Sequence, residues 1–314
     1  MYDKVKLWCE RCDIGEQYPN IATYLDEANE QTNLKTGEVK TFGSLEGLKI
    51  ALYGSGLSII GSMPKYLCGS NIYTLDRTTI KKAIEKIKDN LHVSLDKARV
   101  IGLEFGTTFQ MRCRPKEYLD KLGNMPRLQR YRRYHDTLYY QLKGHPPRRA
   151  FCFYDKKAEA TANNMPIPDE LKDANLLRCE MRVNGRLPFQ LGVPEVTAST
   201  LSESDFYDIL MQRYKKDYYS IDKLNQIKVD VMNEIKKVTD AIDVFVAENI
   251  NPNYKDKITP FIEELKRADV FKDRVSYTRL KRQLELIGSK SNFTISDELI
   301  KELDDDFKNL GDYV

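Results

Sequence analysis

The stretch "RRAFCFYDKKAE", residues 148–159, sets the fold class of its half of the chain. Phe151 and Phe153 alternate with Ala150, Cys152 and Tyr154, as a strand with one bulky face requires. Just upstream, "DTLYYQL" (136–142) has the same texture. Only "KGHPP" (143–147) separates the two, so the reading is an antiparallel hairpin. Alternation puts Lys156 on the face of Tyr154, away from the two Phe.

Two further segments repeat this design. In "RVIGLEFGTTFQM" (99–111), Ile101, Leu103, Phe105, Phe109 and Met111 form an apolar face. Glu104 lies on the other face, flanked by Gly102 and Gly106, which leaves open space above it. In "LLRCEMRV" (176–183), Leu177, Cys179, Met181 and Val183 oppose Arg178, Glu180 and Arg182. If the segments share a sheet, Glu104, Tyr154, Lys156, Arg178, Glu180 and Arg182 converge on one sparse, charged face. Two carboxylates with water ligands would suit Mg²⁺ or Mn²⁺. Such a metal would polarise a phosphate, Lys or Arg would stabilise the developing charge, and Tyr154 would attack. The plainer alternative is a solvated sheet face carrying Glu–Arg pairs.

Further out, residues 2–10 alternate like a strand, and "LKIALYGSGLSIIGSMPKYL" (48–67) reads as strands broken at Gly. "LDRTTIKKAIEKIKDNL" (75–91) is an amphipathic helix capped by Asp76 or Thr78, with Ile80, Ala83, Ile84 and Ile87 as its apolar stripe. "PKEYLDKLG" (115–123) is a short helix from Pro to Gly. From about Ser202 the pattern turns helical. This covers "SESDFYDILMQRYKK", "SIDKLNQIKVDVMNEIKKVTDAIDVFVAE", "DKITPFIEELKRAD" and "DRVSYTRLKRQLELIG", with a hinge at "NINPNYKDK" and an acidic tail from Ser296.

The 314 residues are 41% hydrophobic and 31% charged, as a globular protein requires. No run approaches the ~20 apolar residues of a membrane span, and the first residues lack a signal-peptide core. The expectation is a cytoplasmic protein without membrane partners. Cys9 and Cys12 form one Cys-x-x-Cys, short of the four ligands of structural zinc. His92, His135 and His145 make no His-hydrophobic-His pair. Net charge is +3, but Met111–Lys157 holds thirteen Lys/Arg against four Asp/Glu. Its densest part, "RLQRYRRYHDTLYY", interleaves Arg with Tyr. That suits nucleic acid, since Arg neutralises phosphate and Tyr stacks on unpaired bases; a solvated basic face is the alternative.

"VIGLEFGTTF", "RAFCFYDKKAE" and "LLRCEMRVN" resemble, in order and spacing, segments of replication proteins of the filamentous-phage gene II type and related plasmid rolling-circle initiators. The resemblance covers about residues 45–200. It implies a DNA nickase and strand transferase with Tyr154 as nucleophile beside Lys156, Glu104 in the place of an acidic strand residue, and Arg178, Glu180 and Arg182 on an Arg-x-Glu-x-Arg strand. The best-known rolling-circle initiators hold their metal with a His-hydrophobic-His motif, which this chain lacks, so ligation by Glu104 and Glu180 is the expectation.

The expected architecture is therefore α+β: residues 1–200 an antiparallel-sheet catalytic domain of relaxase or rolling-circle initiator type, residues 201–314 a helical region that binds duplex DNA or a partner. Arg127, Arg130, Arg132, Arg133, Arg148, Arg149, Arg178 and Arg182 are the expected DNA contacts. Origin DNA, single-stranded at the nick, is the expected partner, with host helicase or polymerase downstream. Two alternatives remain: a non-catalytic origin-binding protein using "RVSYTRLKRQLELIG" as a recognition helix, and a metal-dependent nuclease that activates water.

Overall fold

The structure, a computed structural model, describes residues 1–133, 136–142, 148–223, 226–227, 254–267, 269, 271, 273–286, 294–295 and 297–311. His135, His145, the "KGHPP" turn, most of the helix expected over 220–248 and the first part of the expected hinge lie outside them.

The fold is α+β, built on one ten-stranded sheet. Its strands are β1 (Tyr2–Glu10), β2 (Asp26–Thr32), β3 (Val39–Leu45), β4 (Leu48–Tyr53), β5 (Gly56–Ser62), β6 (Arg99–Met111), β7 (Gln129–Arg133), β8 (Thr137–Gln141), β9 (Arg149–Asp155) and β10 (Asn175–Asn184). The spatial order is β2-β3-β4-β5-β1-β6-β10-β9-β8-β7, and every pairing is antiparallel. The expected hairpin is present as β8–β9. The strands β2, β3 and β7 were not anticipated. β2 is wholly exposed, and β3 and β7 are mostly polar and only partly buried, so they lack the apolar alternation that announces a half-buried strand.

The helices are α1 (Arg11–Ile14), α2 (Met63–Cys68), α3 (Arg77–Leu91), α4 (Pro115–Lys121), α5 (Lys156–Ala162), α6 (Leu187–Leu191), α7 (Ser204–Tyr219), α8 (Tyr254–Arg267), α9 (Arg274–Leu286) and α10 (Glu298–Lys308). Asp76 caps α3, accepting hydrogen bonds from the Thr78 and Thr79 amides while Thr79 bonds back, and the expected stripe of α3 is buried. "MPKYL", expected as the end of a strand, is instead α2, with Pro64 in its first turn and Gly69 closing it in the left-handed region.

One sheet face is packed. Phe105, Phe151, Phe153, Cys179 and Met181 meet α7 and α10 through an aromatic cluster. The Tyr214 ring lies 5.5 Å from Phe151 and 5.1 Å from Phe307, and Phe307 stacks on Tyr218 at 3.6 Å. Each such pair adds about 0.5–1.5 kcal/mol beyond area burial. Tyr214 meets its hydroxyl's need inside this core by donating to the Cys179 carbonyl at 2.7 Å. The acidic tail thus folds as α10, with Ile300, Leu303 and Phe307 in the same core as the sheet. Helices α8 and α9 share a separate cluster of Ile258, Ile262 and Tyr277.

The expected apolar face of β6 needs one correction. Ile101 is exposed and Val100 is buried. The β1–β6 register shifts between Lys6/Gly102 and Leu7/Val100, so a bulge at Ile101 inverts the alternation below it.

Candidate active site

Antiparallel neighbours directly opposite each other project to the same side. The register therefore lays out the other face as a grid. Tyr154 lies opposite Arg178, and Arg178 opposite Thr108. Cys152, Glu180 and Gly106 form the next row, and Ala150, Arg182 and Glu104 the third. Gly106 is required here. A Cβ on it would sit 2.0 Å from the Cys179 carbonyl oxygen and 2.8 Å from the Glu180 Cα. Its missing side chain lets the β6 and β10 backbones close up beside Glu180. The space over Gly102 is not open, as the sequence suggested, but filled by the stem of Lys6.

The Tyr154 hydroxyl donates to Glu180 Oε2 at 3.2 Å. Arg182 Nε donates to Glu180 Oε1 at 2.7 Å and stands 3.8 Å from Glu104 Oε2, between the two carboxylates. Arg178 Nε lies 3.4 Å from Glu180 Oε2. The rest of the Arg178 guanidinium engages Asp3 and, at 3.1 Å, Thr108 Oγ1. Asp3 also accepts from Ser62 Oγ at 2.6 Å and Asn71 Nδ2 at 3.4 Å. Asn71 in turn accepts from Lys156 Nζ at 2.9 Å. Arg178 is 0% exposed and Glu180 1%. That excludes the solvated-face alternative for this part of the sheet. Ile72, Leu171 and Leu176 form a small apolar lid over its lower end.

The electrostatics follow from this burial. Burial, then the neighbouring Glu180 charge, pushes the Tyr154 phenol well above its ordinary range, against the pull of Arg178. Burial would raise Glu180 too, but Arg182 and Arg178 outweigh it and the net shift is downward. Glu104 goes up, through burial and the Glu180 charge, with Arg182 and Lys4 opposing. A proton entering the pair therefore sits on Glu104.

Lys156 stands elsewhere than alternation implied. β9 ends at Asp155, which caps α5 by accepting from the Ala158 amide at 2.9 Å, and Lys156 opens that helix. Its side chain is wholly buried, held by Asn71 and, at 2.6 Å, by Glu159. Burial lowers its pKa against the pull of Glu159. The cation that opposes the rise of the phenol is Arg178, not Lys156.

The eight arginines divide. Arg127 and Arg148 are exposed, and exposed Arg133 shares the site face, opposite Thr137 and through it Tyr154. Arg182 keeps about a third of its side chain exposed. Arg130 and Arg132 project to the packed face, towards α4, where Arg130 Nε donates to the Leu122 carbonyl at 3.2 Å and Arg132 pairs with Asp120. Arg149 pairs with Asp217 of α7. Arg178 is enclosed.

The network contains residues that the sequence reading did not single out: Asp3, Asn71, Thr108 and Glu159. Asp3 alone had a signal, a carboxylate inside an apolar strand. Among the described residues, no group of three or more His, Cys, Asp or Glu is placed to hold a metal ion. Glu104 and Glu180 are hard oxygen donors of the kind Mg²⁺ and Mn²⁺ take, and two carboxylates with water are within that chemistry. No described helix is long and apolar enough to cross a membrane.

In comparisons with known proteins, the family described as the N-terminal part of the replication-associated gene II protein matches residues 1–203. The chain matches no curated protein.

Proposed function

From the premise that this chain belongs to the family of filamentous-phage gene II type replication initiators, we propose that it opens one strand of its origin by tyrosine transesterification, on a sheet of relaxase or rolling-circle initiator type. The observation that carries the proposal is the Tyr154 hydroxyl donating to Glu180, which is buried beside Arg178 and held from the open side by Arg182.

Tyr154 Oη attacks the scissile phosphorus. The bond from phosphorus to the 3′ oxygen breaks, and the 5′-phosphate stays on the tyrosine. The phenolic proton passes first to Glu180, the carboxylate that the hydroxyl already bonds, and the departing 3′ oxygen takes a proton from solvent water to become the priming 3′-OH. Phenol above its usual range and carboxylate below it make this transfer uphill at rest. The proton leaves only as the oxygen bonds to phosphorus, which is general-base catalysis. Reversal by a later 3′-OH recloses the strand without external energy, because one phosphodiester is exchanged for another.

Arg182, between both carboxylates and partly exposed, is placed to meet the charge that develops on phosphate oxygens. Arg178 acts from beneath by orienting Glu180. Glu104 and, before it takes the phenolic proton, Glu180 would hold Mg²⁺ or Mn²⁺ with Arg182 withdrawn from between them; when bound the ion supplies a Lewis acid for the phosphate. Arg127, Arg133 and Arg148, all exposed, would contact the DNA backbone. The freed 3′-OH is the end that a host polymerase would extend behind a helicase.

The test is a trapped adduct. Wild type incubated with labelled origin oligonucleotide and Mg²⁺ or Mn²⁺, then denatured, should carry label on Tyr154. Tyr154→Phe keeps the ring and should carry none while still binding the oligonucleotide. An equal yield in the Phe variant would assign the chemistry to another of the 19 tyrosines, Tyr139 first, which shares the site face, whereas Tyr140 is buried on the packed face and donates to the Gly123 carbonyl. Nicking without any adduct would indicate a nuclease that activates water, and binding alone an origin-recognition protein.

A further inference from the structure

We propose that the open face of β1, β5, β4 and β3 is a track for single-stranded DNA, continuing the strand held at Tyr154; the proposal rests on the nicking reading for which strand that is. The site face passes onto this half of the sheet without a break. Asn184, two residues beyond Arg182, lies opposite Gly102, and Gly102 opposite Lys6. Lys6 Nζ donates to Asn184 Oδ1 at 2.7 Å. From there the register runs Lys6, Ile60, Lys49 in one row and Trp8, Ser58, Ala51, Phe42 in the next. Six strand spacings of ~4.8 Å separate β9 from β3, a path of roughly 29 Å.

Three observations specify the occupant. The first is charge. Lys4, Lys6, Lys40 and Lys49 stand on this face, and no carboxylate among the described residues forms an ion pair with any of them. Glu10, on the same face of β1, is neutralised by Arg99; Glu38 lines the far cleft together with Lys40, and Asp26 ends the Lys49 row on β2. The second is aromatic exposure. Phe42 is 37% exposed and Tyr53 36%, and the Trp8 ring packs 5.7 Å from Tyr53. Lys40 Nζ sits 5.1 Å from the Tyr53 ring and 5.7 Å from Phe42. These rings do not fill the core, which takes Leu7, Leu57, Ile59, Ile50 and Leu52 from the reverse side. The third is shape. At the far end a cleft of about 630 Å³ lies between the β2–β3 hairpin and the β4–β5 turn, lined by Gln31, Asn33, Lys40 and Tyr53 among others. Lysines interleaved with exposed rings on an open sheet suit a backbone of phosphates with bases free to stack. A duplex hides its base faces and would use only the lysines.

The chain supplies its own reporter, because Trp8 is its one tryptophan. The full chain is titrated with oligo(dT) of about 16 nucleotides, the upper end of single-strand sites of this kind. Trp8 fluorescence should quench saturably, and duplex of equal length should compete at least about tenfold more weakly. Phe42→Ala with Tyr53→Ala should weaken binding about tenfold or more, with the thermal midpoint recorded alongside. If that pair unfolds the protein, Lys40→Gln with Lys49→Gln serves instead, lowering the slope of log affinity against log salt by about 1.4. Absence of quenching, equal competition by duplex, or quenching that follows protein concentration alone, as self-association through this face would give, overturns the track. Adduct trapping on the same samples separates the two proposals. An adduct without quenching removes only the track, whereas quenching without an adduct removes the nicking reading and leaves the track standing.

Discussion

At Arg178, burial opposes charge. Enclosing a guanidinium costs several kcal/mol, and only well-placed partners offset that cost. Asp3 and Glu180 do so, and they hold the Arg178 pKa above its ordinary value despite burial. Arg178→Met leaves Asp3 enclosed without its cation, so we expect a loss of about 3–5 kcal/mol in urea unfolding. Asp3→Asn in the same chain should return part of it. Glu104→Gln and Glu180→Gln keep side-chain volume and add no negative charge. Both should abolish nicking while oligonucleotide affinity, read by anisotropy, stays within about threefold, a change of under 1 kcal/mol. If both nick at the wild-type rate in Mg²⁺ or Mn²⁺, their assignment as metal and base ligands fails. The alternation of Arg178, Glu180 and Arg182 was legible from their own ten residues. The pairing of Arg178 with Asp3 was not, because the two lie 175 residues apart in the chain.

Caps decide where elements end. Burial would raise the Asp76 carboxyl, but hydrogen bonds from Thr79 and Thr78 outweigh it and hold it at about 2, below the ordinary 3.8. The unfolded chain therefore binds more protons in that window. The stabilisation is complete above about pH 4 and is lost as pH falls towards 2. Asp76→Ala should cost about 1 kcal/mol near neutrality, and the gap from wild type should narrow through this window in acid unfolding curves. A gap constant across it would refute the capping account. α10 is the less obvious element. Phe307 touches Tyr218, Tyr214 and Phe109 at once, so Phe307→Ala should cost about 3–5 kcal/mol in denaturant unfolding. Its acidic composition suggested a tail, since Ile300, Leu303 and Phe307 are sparse among carboxylates. What makes it a core element is the aromatic surface that it meets.

Across the whole molecule, the family match ends at residue 203 and the texture of the sequence changes near 200, yet the apolar core runs on through α7 and α10. A chain ended at Ser202 would expose the Phe105, Phe151 and Phe153 face to water. We expect it to be aggregated or to bind a hydrophobic dye, without the cooperative unfolding of the full chain. A monomeric, cooperatively unfolding fragment would show that residues 1–200 stand alone as a domain.

Local periodicity alone determined the antiparallel hairpin of β8 and β9, the long strand β6, the cap and stripe of α3, and the side of its own strand from which each of Glu104, Tyr154 and Glu180 projects. Each depends on neighbours within a dozen residues, where side-chain period and capping chemistry act directly. The rest was decided in three dimensions. The bulge that exposes Ile101, the register that brings Glu104, Tyr154 and Glu180 together, the Asp3–Arg178 pair and the packing of α10 arise from contacts between distant segments. Their energy depends on how the segments meet, and no window of sequence contains both partners.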